Sequence, residues 1–269
     1  MIDHKDYNPE INHHVKPFRN RKLGEFESMD LVMYKYIPLD YVLNMLETKK
    51  FRFNNIKTWE DVYENFVNKE DIKLLNSTWD GLPCFACYGQ SWTIQKESDA
   101  MWRIYSQAGQ AVRIMTSYRY LYHTIYDWNR KHSDNPLWPL IDYVFYADEN
   151  EINEWLLSNS PMTFFVFVEL LGESVFIKRC EFEHEKEVRV VFRNVEKEEK
   201  KYIEFDFDPN YVFREIVIDP RVNKEEFIRQ RDSLVNCGFD IKRIRKSTLY
   251  DFKKVKLNID MSEPWDLSD

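Results

Sequence analysis

Glycine is scarce in this chain of 269 residues, with only six present. The sequence contains neither GxGxxG nor GxxxxGK followed by Ser or Thr, so it gives no support to a Rossmann dinucleotide site or a P-loop. It also lacks any apolar run of about 18 residues or more, and the polar start MIDHKDYNPEINHH has no signal-peptide core. We therefore expect a cytoplasmic protein with no membrane association.

Positive charge is also in deficit, since the net charge is −8. An acidic chain is a poor candidate for broad electrostatic binding of nucleic acid, although a local basic groove stays compatible with it. Aromatic residues, by contrast, make up 16% of the chain. Stacking surface is therefore plentiful.

The four cysteines give weak support for a metal centre. Cys84-x-x-Cys87 and Cys180-x-x-x-His184 together contain four potential zinc ligands. However, CFAC lies in an apolar run of strand composition, where residues three apart point to opposite faces. We interpret the pair as buried, reduced strand cysteines and expect no metal.

The pattern of apolar residues predicts about eight strands and five helices without strict βαβ alternation. This favours the α+β class, with mixed, mostly antiparallel sheets and helices packed around them. Residues 1–27 are polar and patternless, which predicts a flexible N-terminal arm. With no linker-like stretch or internal repeat, residues 28–269 are expected to form a single domain.

The stretch GQSWTIQKESDAMWRIYSQAG, residues 89–109, predicts a strand followed by a helix that begins after Ser98 and ends near Gly109. Strand alternation places Ser91 and Thr93 on one face and Trp92 on the other, in the core.

In the helix that follows, the spacing of Met101, Ile104, Tyr105 and Ala108 predicts a shared inward face. Trp102 lies off this face. We therefore expect Trp102 to be the aromatic residue most available to a ligand.

Alternation in FEHEKEVRVVF places Val188, Val190 and Phe192 inward. If the strand begins early enough, charged side chains project together from its opposite face, namely Glu185, Glu187 and Arg189. Two interpretations stay open. The face is either a solvated one with an ion pair of little value, or a site where Arg189 holds Glu187 as a catalytic carboxylate near the strand that bears Ser91 and Thr93. Such a carboxylate suits the cleavage of a glycosidic bond, whose transition state resembles an oxocarbenium ion.

Several longer segments resemble the bacterial domain of unknown function 2971 family. They are MYKYIPLDYVLNMLETKKFRFNNIKTWEDVYE, CFACYGQSWTIQKESDAMWRIYSQAGQAVRI, FIKRCEFEHEKEVRVVF, VIDPRV and KSTLYD. The match covers roughly residues 31–252, and its most specific parts are Met-Trp-Arg-Ile-Tyr and Glu-Lys-Glu-Val-Arg.

The order of elements in that family is similar to that of ADP-ribosyltransferases. This likeness implies an ADP-ribosyltransferase-like fold and NAD as substrate. It also suggests a bacterial toxin or antiphage defence effector whose acceptor is a protein or nucleic acid. By the same likeness, Glu187 is the catalytic glutamate, which Arg189 orients and Glu185 accompanies. The residues that it implies as NAD contacts are Lys35, Tyr36, Arg52, Ser91, Thr93, Trp102 and Tyr105.

Two other functions are compatible with the sequence. The basic segment IKRIRKS, residues 241–247, and the aromatic surplus would suit a non-catalytic module that binds a nucleotide or nucleic acid. Asp61 and Glu64, together with the other glutamates, would suit a metal-dependent hydrolase or nuclease.

Overall fold

The computed structural model describes residues 29–59, 84–132, 139–158, 172–196, 200–252 and 256. The predicted arm, residues 1–27, lies outside these ranges, as do Asp61 and Glu64. None of the helices in the described ranges is long and apolar enough to cross a membrane.

The described residues form eleven strands and six α-helices. The strands are β1 Val32–Pro38, β2 Lys50–Asn55, β3 Cys84–Thr93, β4 Ala111–Ser117, β5 Pro139–Tyr143, β6 Phe145–Ala147, β7 Ile177–Arg179, β8 Glu187–Glu196, β9 Tyr202–Asp206, β10 Glu215–Ile218 and β11 Ile244–Lys246. The helices are α1 Leu39–Thr48, α2 Asp99–Tyr105, α3 Tyr118–Lys131, α4 Glu149–Ser158, α5 Pro209–Val212 and α6 Lys224–Asn236. Short 3₁₀ segments occupy Ile56–Thr58, Gln107–Gly109, Cys180–Glu185 and Ile241–Arg243.

Nine of the strands form one sheet. Its main path runs β11-β10-β4-β1-β3-β2-β9, while β8 pairs with β3 and carries β5 on its other side. Strands β6 and β7 form a separate parallel pair. Apart from that pair and the parallel β10–β11 contact, the described pairings are antiparallel. The predicted α+β class with a mostly antiparallel sheet is confirmed, with more elements than the sequence indicated.

One apolar core lies on a face of this sheet, and strand alternation explains how it forms. In β2, Phe51 and Phe53 point inward while Arg52 between them points to solvent. Helix α3 covers the core with Leu121 and Ile125, which lie one turn apart on its apolar side. The period-2 and period-3.6 patterns thus predicted these elements correctly.

The sequence misjudged two regions next to the sheet. The stretch LIDYVFYAD has the composition of one strand, but it divides into β5 and β6, which belong to different sheets. The three-residue strand β7 and the 3₁₀ segment after it were not predicted. Both are too short to show a repeating pattern, so periodicity carries no signal for them.

The inward face of α2 differs from the predicted one. Met101 and Trp102 are buried, Trp102 completely, whereas Ile104 is 48% exposed and Tyr105 is 38% exposed. Trp102 packs edge-on against Tyr36 at 4.8 Å between ring centroids. The helix is only seven residues long, so contacts with β1 and β10 decide which side it buries, and its own spacing does not.

Two glycines with positive φ offer a matched test of the packing beside α2. Gly109 has φ +74, and a Cβ added there would lie 2.8 Å from Val222 Cγ1. Gly238 has φ +86, but a Cβ there would meet nothing within 4 Å. We expect Gly238→Ala to lower the free energy of unfolding by about 1–2 kcal/mol, because alanine disfavours the left-handed conformation.

Gly109→Ala should cost a further ~1–3 kcal/mol, because it adds the overlap with Val222 to the same backbone penalty. Urea denaturation of both variants measures the difference. Equal losses of stability would contradict the close approach of Val222.

Candidate functional site

A fork in the sheet creates a cleft beside β3. One edge of β3 pairs with β2 at Gly89, whose partner is Asn54, and then with β1 at Thr93, whose partner is Tyr34. Between these positions that edge changes partner, and the Lys35 side chain donates a hydrogen bond to the Ser91 carbonyl oxygen at 2.7 Å. The fork therefore leaves room for a cleft where the ladder is interrupted.

The other edge of β3 pairs along its whole length with β8, and this register assembles the predicted residues. Thr93 lies opposite Glu187, and Ser91 lies opposite Arg189. Because directly opposed residues of an antiparallel pair share a face, these four side chains lie on the same side of the sheet. Trp92 is on the other face and is buried, as predicted.

The Glu185 side chain also lies in this cleft, but its backbone is not in the predicted strand. Glu185 is the last residue of the 3₁₀ segment Cys180–Glu185 and not a strand residue. Lys186 then adopts φ 45, in the left-handed region, before β8 begins at Glu187. The expectation that strand alternation carries Glu185 is wrong, although its side chain does join Glu187.

Buried cations bind both oxygens of Glu187. The Arg189 Nε donates to Oε2 at 2.8 Å, and the Lys178 Nζ donates to Oε1 at 2.5 Å. Arg189 is completely buried and also donates to the Val175 carbonyl oxygen at 2.7 Å. Since Arg189 is buried beneath Glu187, the interpretation of this face as solvated is wrong.

Glu185 shares the same lysine. The Lys178 Nζ donates to Glu185 Oε2 at 2.6 Å, while the Tyr105 hydroxyl donates to Oε1 at 3.0 Å. Lys178 thus bridges two buried carboxylates, and Tyr105 joins them to the surface because it is partly exposed.

The two carboxylates have opposite shifts in pKa. Burial, reinforced by a hydrogen bond with Glu187, raises the pKa of Glu185 to about 7, against the opposing charge of Lys178. Burial acts in the same direction on Glu187, but the charge of Arg189, the hydrogen bond with Glu185 and the charge of Lys178 outweigh it and lower the pKa of Glu187. Near neutral pH, therefore, Glu187 is ionised and Glu185 can exchange a proton.

Lys35 brings a further positive charge to the cleft. Burial lowers the pKa of Lys35 to about 8, although the charge of Glu187 favours its protonated form. Its Nζ also lies 5.9 Å from the ring centroid of Trp92.

The cleft is partly open to solvent, and it encloses about 370 Å³ of space, part of which is bulk solvent. Its walls come from β1, β3, α2 and the turn before β8. The lining residues are Tyr34, Lys35, Tyr36, Ser91, Trp92, Thr93, Met101, Tyr105, Glu185 and Glu187.

Seven of the ten predicted site residues therefore line one cleft, and Arg189 lies directly behind it. The other two do not line it. Arg52 forms an exposed ion pair with Glu204 at 2.8 Å and lies over the Tyr202 ring. Trp102 is buried, and its indole nitrogen donates to Glu97 at 3.0 Å, so the expectation that it is available to a ligand is wrong.

Lys178 is a side chain of this site that the sequence did not indicate. Lys178 lies with both glutamates in the segment FIKRCEFEHEKEVRVVF, which carries part of the resemblance, and its place in that segment was the signal that could have found it. Its short strand, β7, gave no periodic pattern to show which way it points.

The arginines of the basic segment IKRIRKS bind to other parts of the fold. Arg243 donates to the carbonyl oxygens of Asn210 and Phe213, and Arg245 pairs with Glu215 at 2.7 Å. These two arginines are engaged within the fold, which argues against a nucleic-acid surface on residues 241–247. In the described ranges, no three or more His, Cys, Asp or Glu residues are placed to hold a metal.

Two arginine–glutamate pairs on the same sheet test how much the buried pair contributes to stability. Arg189→Met leaves Glu187 as a buried carboxylate without its guanidinium partner, so we expect a loss of about 3–5 kcal/mol in the free energy of unfolding. Arg52→Met removes an exposed pair and should cost about 1 kcal/mol or less.

Urea denaturation at pH 7 compares the two variants. Similar losses would contradict a site built around a buried, charged Glu187.

Two sequence comparisons found no relative of the chain. No protein-family model matches the chain, and no curated protein matches it in sequence. The resemblance to the domain of unknown function 2971 family therefore stays a prediction from the quoted residues.

Proposed function

We propose that the chain is an NAD-dependent mono-ADP-ribosyltransferase-like enzyme. The observation that carries this proposal is the meeting of Glu187 with Ser91, Thr93, Lys35 and Tyr36 in one cleft at the fork between β1 and β3. These residues come from three separate stretches of sequence, and each is a site residue implied by the resemblance.

The reaction would break the bond between the ribose anomeric carbon of NAD and the nicotinamide ring nitrogen. The bonding electron pair leaves with nicotinamide, and the nucleophile of an acceptor, or water, forms the new bond to that carbon. Positive charge develops on the ribose as the bond breaks. The ionised Glu187, buried in the cleft wall, would stabilise that charge more strongly than a carboxylate in water, because little solvent screens it.

The remaining groups suit the rest of the substrate. Ser91 and Thr93 can hydrogen-bond sugar hydroxyls, and the rings of Tyr36 and Tyr105, nearly parallel with centroids 6.4 Å apart, offer apolar faces. Lys35 would attract an anionic group. Because the cleft is partly open to solvent, one part of NAD would enter it while the rest of the molecule lies over the surface.

The biological setting that we propose rests on the resemblance to ADP-ribosyltransferases and not on the geometry of the cleft. We propose a cytoplasmic bacterial effector of a toxin or antiphage defence system, which transfers ADP-ribose to a protein or nucleic acid.

A second candidate is a non-catalytic nucleotide-binding module. Both oxygens of Glu187 already accept hydrogen bonds from buried cations, which leaves them less free to bind a ribose hydroxyl. Three cations face two carboxylates in and behind the cleft, namely Lys35, Lys178 and Arg189 against Glu185 and Glu187. That excess of positive charge also favours an anionic ligand.

Release of nicotinamide from NAD, measured by chromatography, tests the catalytic proposal without knowledge of the acceptor. Glu187→Gln keeps the size of the side chain but removes its charge, so we expect the rate to fall by at least about 100-fold. The matched control is Glu204→Gln, a partly exposed glutamate of β9 that lies outside the cleft, which should leave the rate unchanged.

Circular dichroism of both variants checks that the fold is retained. A Glu187→Gln protein that is folded and fully active would refute the catalytic role. Binding of NAD to the native chain without any nicotinamide release would favour the non-catalytic module.

A further inference from the structure

The ammonium group of Lys178 lies where two buried carboxylates meet. It is 2.6 Å from Glu185 Oε2 and 2.5 Å from Glu187 Oε1, and its side chain is 8% exposed. Its Nζ also lies 4.6 Å from the ring centroid of Phe182, which fixes the side chain from another direction. The lysine is therefore held in a single position between the two glutamates.

The two glutamates do not share their cations equally. Glu187 accepts from both Lys178 and Arg189, whereas the only cation at bonding distance to Glu185 among the described contacts is Lys178. Two carboxylates this close, with a single cation between them, resist simultaneous ionisation. The asymmetry leaves the ionised form with Glu187 and the exchangeable proton with Glu185.

We propose that Lys178 is a positioning residue of the cleft. Its ammonium group bridges Glu185 and Glu187, so that Glu187 stays ionised and Glu185 is the carboxyl group that exchanges a proton. The use of that proton in turnover rests on the proposed function. The arrangement of charges does not, and it can be measured without NAD.

Charged and titratable groups from four elements surround Glu185. The charged or titratable groups that face it are Lys178 of β7, Glu187 and Arg189 of β8, Tyr105 of α2 and Tyr146 of β6. Tyr105 is partly exposed to solvent, and its hydroxyl group donates a hydrogen bond to Glu185. This contact offers a path for protons between solvent and the buried carboxyl group.

Carbon-13 NMR of the full chain, labelled at the glutamate side-chain carboxyls, tests the proposal. The two resonances are assigned by their loss in Glu185→Gln and Glu187→Gln. In the native chain we expect Glu185 to titrate with a midpoint near neutral pH and Glu187 to stay ionised across the accessible range.

Lys178→Gln should raise the Glu185 midpoint by about one to three pH units, because the stabilising charge is gone. Lys178→Arg should restore it. The matched control is Lys186→Gln, the same substitution on an exposed lysine of the same turn that pairs with Glu183, and it should leave the midpoint unchanged.

A Glu185 midpoint that is the same in folded Lys178→Gln and in the native chain would overturn the proposal. If that variant does not fold, the Lys178 ammonium resonance of the native chain decides: it must change at the Glu185 midpoint, and its failure to do so overturns the bridge. If Glu185 and Glu187 titrate as expected and the chain does not turn over NAD, the proposed function is refuted and the role of Lys178 is retained.

Discussion

The buried negative charge of Glu187 is the constraint on which the site depends. A carboxylate removed from water is costly unless cations and hydrogen bonds replace its hydration. Here Arg189 supplies one partner from the same strand, and Lys178 supplies the other from β7. Arg189 in turn donates to the Val175 carbonyl oxygen, just before β7. The partners of the Glu187 carboxylate therefore connect β8 to β7 and to the segment before it, although β7 and β8 do not pair with each other.

The fork in the sheet is what makes this charge accessible to a ligand. A continuous ladder on both edges of β3 would have filled the space beside Ser91 with backbone. Instead, the edge changes partner between Gly89 and Thr93, and side chains satisfy the interrupted ladder: Lys35 donates to the Ser91 carbonyl, and Gln90 donates to the Arg52 carbonyl. These two side-chain donors replace backbone donors at the interruption, and the interruption leaves a cleft.

The sequence predicted the parts of the site that depend on a period of two. Ser91, Thr93, Glu187 and Arg189 share a face because β3 and β8 are regular strands in antiparallel register. The sequence prediction failed where a single residue or a short element decides which way a side chain points. Glu185 reaches the cleft through the left-handed Lys186, and β7 is too short to reveal Lys178. Trp102 turned inward because tertiary contacts, and not the spacing along α2, fixed which side of that helix is covered. Local periodicity predicts faces well only in elements that are long enough to average over such contacts.

The charges of the cleft also bear on which ligand suits it. The excess of cations would attract phosphate, yet the ionised carboxylate and the tyrosine rings would attract a positively charged ring. NAD combines both, since its nicotinamide ring is cationic and its pyrophosphate is anionic. A simple nucleoside phosphate would leave Glu187 without a cationic ligand group to face. Under the proposed function, the positive and the negative groups of the cleft each have an oppositely charged group in the substrate. As the bond breaks, the positive charge of the nicotinamide ring passes to the ribose, where Glu187 can stabilise it.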